Sequence, residues 1–180
     1  MHGVDIIPFG GVTPRIHPAA WIAPGCRIIG DVEIGADASI WYNCVLRGDV
    51  NQIRVGAGTN IQDGSVIHCD SGGASGRGHP TLIGEGVLVG HMAVIHGAAL
   101  MAGCLVGIGA IAMDGSVVEP EGMLAAGAML TPHKQLGARQ IWGGRPAKLL
   151  RQMTHEEAAR NAHSVLHYQD LARAHASAAY

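Results

Sequence analysis

Large aliphatic side chains return every six residues along most of this chain, at Ile16, Ile22, Ile28, Ile34, Ile40 and Leu46. The spacing resumes at Val55, Ile61 and Ile67, and again at Ile83, Val89 and Ile95. One step then shortens to five residues, giving Leu100, and the six-residue step returns at Val106, Ala112, Val118, Leu124 and Leu130. A second column trails most of these positions by four residues and holds compact side chains, among them Cys26, Ala38, Cys44, Thr59, Ser65, Ala93, Cys104 and Ala128. Neither a helical period nor strand alternation produces both columns. An inward aliphatic and an inward small residue in every six predict a parallel β-helix, three hexapeptides to a triangular coil. The aliphatic fills the middle of a side, the small residue fits the corner, and coils stack about 4.8 Å apart. About six coils fit this register.

Two stretches break the spacing. Three extra residues fall between Leu46 and Val55, around Arg47-Gly48-Asp49-Val50-Asn51-Gln52, and about ten between Ile67 and Ile83, from Cys69 to Pro80. Both read as loops leaving a regular scaffold, where function concentrates. The second is glycine-rich but lacks the Gly-Lys-Ser/Thr ending of a phosphate-binding loop. The coil is expected to end after Leu130, and Gly143-Gly144-Arg145-Pro146 leads towards a helix. Thr154-His155-Glu156-Glu157 is a capping box. Ala158, Ala162, Val165 and Ala172, flanked by Leu166 and Leu171, form its apolar stripe. The predicted organisation is a β-helix over residues 1–135 and, over 136–180, a linker and C-terminal helix packing along it.

Composition fits such a core. The chain has 27 Gly, a single Phe and 48% hydrophobic residues, so it buries small aliphatics rather than aromatics. A net charge of -2 points to neither nucleic acid nor an anionic membrane. Residues 86–113 carry no Asp, Glu, Lys or Arg, but Gly90, Gly97, Gly103, Gly107 and Gly109, with His91, His96 and the six-residue spacing, argue against a membrane helix there. Met1-His2-Gly3-Val4-Asp5 does not resemble a signal peptide. Cys26, Cys44 and Cys104 fall in the inward small column. Cys69 lies off it, and is expected to be partly exposed. Four scattered cysteines without a paired motif suggest a reduced, cytoplasmic protein.

The register also places the histidines. Leu46, Ile67 and Ile95 share one side in consecutive coils, so Arg47, His68 and His96, each one residue later, point outward in a stack. His68 and His96 are then close enough to share a zinc ion. His91 lies two residues after Val89 on the adjacent side, with Asp63 at the same offset after Ile61 and Gln62 beside it. One subunit does not easily bring His91 to the other two, whereas identical prisms around a three-fold axis do, giving three sites per homotrimer. His163 and His167, four apart on the helix, read as a solvated face.

These residues carry a resemblance. Ile40-Trp41-Tyr42-Asn43-Cys44-Val45-Leu46-Arg47-Gly48-Asp49, Asn60-Ile61-Gln62-Asp63-Gly64-Ser65-Val66-Ile67-His68, Gly90-His91 and Ile95-His96-Gly97 resemble γ-class carbonic anhydrases. Gly144-Arg145-Pro146-Ala147-Lys148 is similar to their passage from coil to helix. The resemblance covers nearly the whole chain and implies an all-β fold, a left-handed parallel β-helix of hexapeptide repeats with a C-terminal α-helix. It implies zinc on His68, His91 and His96, with ferrous iron or cobalt as alternatives. Three imidazoles and an open position are the shell already known from carbonic anhydrases. It further implies reversible hydration of CO2 to bicarbonate by a zinc-bound hydroxide that Gln62 orients. Arg47 and Asp63 would pair across the subunit boundary, with Asp49 in the same network. Tyr168 matches a tail-helix tyrosine and is expected near the level of His68 and His96, about 21 Å along the helix from Thr154. The most active family members carry acidic loops near the site; this chain has only Asp70, with His79 nearby. The residues leave open a zinc-dependent thioester hydrolase, a coenzyme A-dependent hexapeptide acyltransferase, and a non-catalytic trimeric scaffold that retains the metal site.

Overall fold

The six-residue spacing is realised as short strands joined by tight corners. The structure, a computed structural model, describes residues 2–73, 76 and 78–178. It is a parallel β-helix of about eight turns followed by one α-helix. Ile6, Ile28, Leu46, Ile67, Ile95, Ala112 and Leu130 lie in register up the first side. Ile16, Ile34, Val55, Ile83, Leu100, Val118 and Leu136 occupy the second. Ile22, Ile40, Ile61, Val89, Val106, Leu124 and Trp142 occupy the third. All but the terminal members of these columns are buried, and the small column, including Cys26, Cys44 and Cys104, closes the corners between them.

The stack is taller than the six coils expected. Asp5–Ile7 adds a strand beneath Arg27–Ile34, and Gln135–Leu136 and Gln140–Gly143 continue it beyond Leu130. The five-residue step before Leu100 is absorbed at Gly97, whose φ of 56° permits a tighter corner than most residues allow. The first interruption is not a loop. Val45–Val55 is one extended strand that runs round a corner, and the extra residues sit as a bulge opposite Gly30 and Val32. Cys69 is fully inside rather than partly exposed, because this bulge brings the Asn51 carbonyl to its Sγ at 3.1 Å. Burial pushes its thiol pKa up.

The helix spans His155–Ser177, and the Thr154 side chain and Glu157 cap it reciprocally. It packs on the third side, against the strands Trp21–Ile22, Ser39–Ile40, Asn60–Ile61 and Leu88–Val89. Val165 and Ala172 are buried as expected, but Ala162 and Leu166 face solvent. The packed face is rotated because aromatic contacts set it. Tyr168 stands edge-on to Trp41 at 5.4 Å, and His175 meets Trp21 and Trp41 while its Nδ1 lies 2.8 Å from the Tyr42 hydroxyl. No helix among the described residues is long and apolar enough to cross a membrane.

Ile61 and Val89 are stacked neighbours, each fully buried at mid-height of the column. Ile61→Asp or Val89→Asp would put a carboxylate there without a partner, at a cost of several kcal/mol. The expected outcome is a large fall in melting temperature or loss of folded protein by circular dichroism. Wild-type stability in either variant would contradict the inward column.

Candidate metal centre

Stacked register brings Arg47, His68 and His96 together on one edge of the first side. The strands pair Arg47 with His68 and His68 with His96, so the three side chains leave the coil at successive levels. The imidazoles tilt towards each other, ring centroids 5.0 Å apart, with His68 Nδ1 3.0 Å from His96 Nε2. The outer nitrogen of each ring meets a carboxylate. His68 Nε2 lies 2.9 Å from Asp49 Oδ1, and His96 Nδ1 is in short contact with Asp114 Oδ1. Asp49 reaches His68 because the bulge turns its side chain back over the strand. Its other oxygen accepts from Arg47 at 2.6 Å. Burial alone would raise the Asp49 pKa; the hydrogen bonds from His68 and Arg47 outweigh it and hold the carboxyl below its usual range.

His91 stands at the opposite end of the same side. It occupies the outermost corner position, immediately before Met92, whose φ of 58° is a strained conformation for a residue with a Cβ. Its Nδ1 lies 2.8 Å from Asp63 Oδ2, the residue at the equivalent corner one coil below. Among the described residues of one chain, no three His, Cys, Asp or Glu side chains converge as a metal-binding group. The structure thus gathers His68, His96, Asp49 and Arg47 at one corner and His91 and Asp63 at another.

Gln62 is buried beside Asp63, under the helix, and its Nε2 donates to Asn60 Oδ1 at 3.1 Å. Asn60 is equally buried, and its Nδ2 has no hydrogen-bond partner. Tyr168 lies above this third side, within the field of Asp63. Burial first, and that negative charge second, raise its pKa. It therefore belongs with Gln62, Asp63 and His91 rather than with His68 and His96.

Sequence reasoning did not single out Asp114. Its signal was present: it follows Ala112 by two residues, as Asp63 follows Ile61 and His91 follows Val89, and Ala112 stacks directly on Ile95.

The donor set suits zinc. Each imidazole has one nitrogen on a carboxylate; in the tautomer with the ring proton there, the other nitrogen offers a lone pair. His68 Nδ1 and His96 Nε2 face one another at 3.0 Å, a separation that a proton bridges as a hydrogen bond and that a shared cation could bridge in its place. Bonds of about 2.0–2.1 Å from a shared ion would fit nitrogens so placed.

Residues 13–48 match the bacterial transferase hexapeptide family (six repeats). Over 165 residues the chain is 48% identical to gamma carbonic anhydrase 1, mitochondrial, of Arabidopsis thaliana, covering 92% of this chain and 60% of that protein. A probable carbonic anhydrase of Methanocaldococcus jannaschii is 38% identical over 83% of this chain and 91% of its own length. Among solved structures, a hexapeptide transferase family protein from Anaplasma phagocytophilum superposes with a TM-score of 0.89 at 45% identity, covering 97% of this chain and 99% of that one.

Proposed function

The chain belongs to the gamma carbonic anhydrase family of hexapeptide-repeat proteins, and from that membership we propose that it catalyses reversible hydration of CO2 to bicarbonate at a three-histidine metal site shared between subunits. The observation that carries this reading is the pairing of each of His68, His91 and His96 with its own aspartate. An acyltransferase acting through one histidine would need neither the second and third rings nor three carboxylates to orient them.

His68 Nδ1 and His96 Nε2 would hold the ion from one subunit, and His91 Nε2 from the next around a homotrimer. Zinc in such a shell lowers the pKa of water to about 7 and so supplies hydroxide near neutral pH; ferrous iron or cobalt would accept the same imidazoles. Asp49, Asp114 and Asp63 keep the three ring protons on the outer nitrogens. Gln62 is fixed through Nε2 by Asn60, and its Oε1 would accept a hydrogen bond from the nucleophile and turn a lone pair towards CO2. Arg47, anchored on Asp49, would reach Asp63 of the partner subunit across the boundary. The Tyr168 hydroxyl would approach the pocket from the helix of the subunit that supplies His91. The exposed corner residues Met92 and Ile108 and the half-exposed Val66 form an apolar strip on the first side, suited to burial against another copy. A cytoplasmic setting remains part of the proposal. The Arabidopsis relative is named mitochondrial, and the chain spans 60% of its length.

Stopped-flow CO2 hydration on metal-analysed protein, with a thioester panel beside it, tests the reading. Hydration above background in the loaded protein is the expected result. Thioester cleavage alone would favour a hydrolase on the same scaffold, and inactivity towards both would favour a scaffold subunit.

The split site makes a sharper prediction about assembly. Neither His91→Ala nor His68→Ala trimers should hold a full complement of zinc, whereas trimers mixed from the two should regain some intact sites, measured as bound metal per subunit. No recovery in verified mixed trimers, or zinc held by three histidines of one monomer, would contradict a shared site.

Asp114→Ala frees the His96 ring without touching a ligand. Loss of such an outer carboxylate weakens metal affinity by about 10- to 100-fold. Competition with a zinc chelator should show that shift with the trimer intact. Unchanged affinity would remove Asp114 from the site.

A further inference from the structure

The corner above His96 carries groups that CO2 hydration, as derived so far, does not use. Asp70 and His79 are held side by side, the Asp70 N–H donating to the His79 carbonyl at 2.9 Å. This sets His79 beside Gly97, next in sequence to His96; a Cβ at Gly97 would lie 3.1 Å from the His79 Cβ. Two coils higher on the same edge, His133 holds a left-handed φ of 60° and donates its N–H to the Asp114 carbonyl at 2.9 Å. The His79 and His133 rings meet edge to face with centroids 5.3 Å apart. Gly115 makes room for both. A Cβ there would lie 2.5 Å from His133 Nδ1 and 3.0 Å from His79 Cε1. Asp70, His79, Asp114 and His133 line one open groove of about 680 Å³, beginning at the carboxylate that holds His96 and ending in solvent.

We infer that His79 and His133 form a two-imidazole relay that carries protons between the three-histidine site and bulk water. The inference rests on the carbonic anhydrase reading. Hydration of CO2 by water yields bicarbonate and one proton, and that proton must leave before the next turnover. An imidazole accepts it at a ring nitrogen, passes it to the neighbouring ring or to a buffer base in the groove, and returns to its neutral form. Dehydration runs the same transfers in reverse. Imidazole suits the task because its ordinary pKa, about 6.5, lies near neutral pH. Asp70 and Asp114 line the same groove beside these rings.

Oxygen-18 exchange at chemical equilibrium tests this on the zinc-loaded trimer, because it separates interconversion of CO2 and bicarbonate from release of labelled water, which needs the proton. In His133→Ala, water release should fall about tenfold or more while interconversion, zinc content and trimer mass hold, and added imidazole buffer should restore release. His79→Ala should behave alike, and His133→Gln guards against a folding defect at the left-handed corner. A readout independent of turnover uses metal-free protein: His79→Ala should move the His133 ring resonances in NMR spectra. Unchanged water release in all three variants, an equal fall in interconversion, or His133 resonances indifferent to His79 would each overturn the relay and leave the carbonic anhydrase reading standing. Wild-type trimer with full zinc and no interconversion would remove that reading, and the relay with it.

Discussion

Parallel hydrogen bonding between coils is the constraint from which the candidate site follows. Each strand locks to the one below in register, so a side chain's offset from its inward aliphatic fixes its position on the outer surface. His68 and His96 are 28 residues apart in sequence yet meet at 3.0 Å, because each follows a stacked isoleucine by one residue. No loop has to fold to bring them together. The rigid stack orders the rings in advance, which is what a preorganised ligand shell requires.

This explains what could be read from the sequence. The coil, its sides and the stack of Arg47, His68 and His96 are consequences of counting by six, and so is the placement of His91 and Asp63 on another corner. Counting also reaches Leu136 and Trp142, six and twelve residues beyond Leu130. The polar corner Thr131-Pro132-His133 disguised that continuation as an end. Asp114 was hidden in the same way, one coil above the conspicuous histidines.

Other features obey forces that spacing does not encode. Asp49 comes to His68 through a bulge, whose direction depends on the strand it pairs with at Gly30. The helix chooses its face by the rings it meets. Trp21, Trp41 and Tyr42 offer edges and a hydroxyl to Tyr168 and His175, and that outweighs burial of Leu166, which remains 57% exposed. A hydrophobic stripe drawn from the sequence counts Leu166 as apolar and His175 as polar, and misses what the partner surface rewards.

The three sides of the prism differ in how they meet water, and this bears on why the proposed site is divided. The helix covers the lower third side. The lower second side carries an ion-pair ladder, Arg15 to Glu33 and Glu33 to Arg54, with Arg54 also bridging to Asp31. The first side has only one ion pair in its outward column, Arg27 to Asp5 at the bottom; above it that column runs Val45, Val66, Val94, Ile111 and Met129, bounded by His91 at one edge and by His68 and His96 at the other. Parallel sheets are ordinarily covered on both faces, so this apolar column is the side least suited to remain in water. A second prism laid against it would cover the column and set one copy's His91 corner opposite another's His68–His96 edge. The surface that most needs covering is thus the one whose two edges hold the two parts of the proposed site, so in the proposed trimer burial of the apolar column and completion of the ligand set would be a single event.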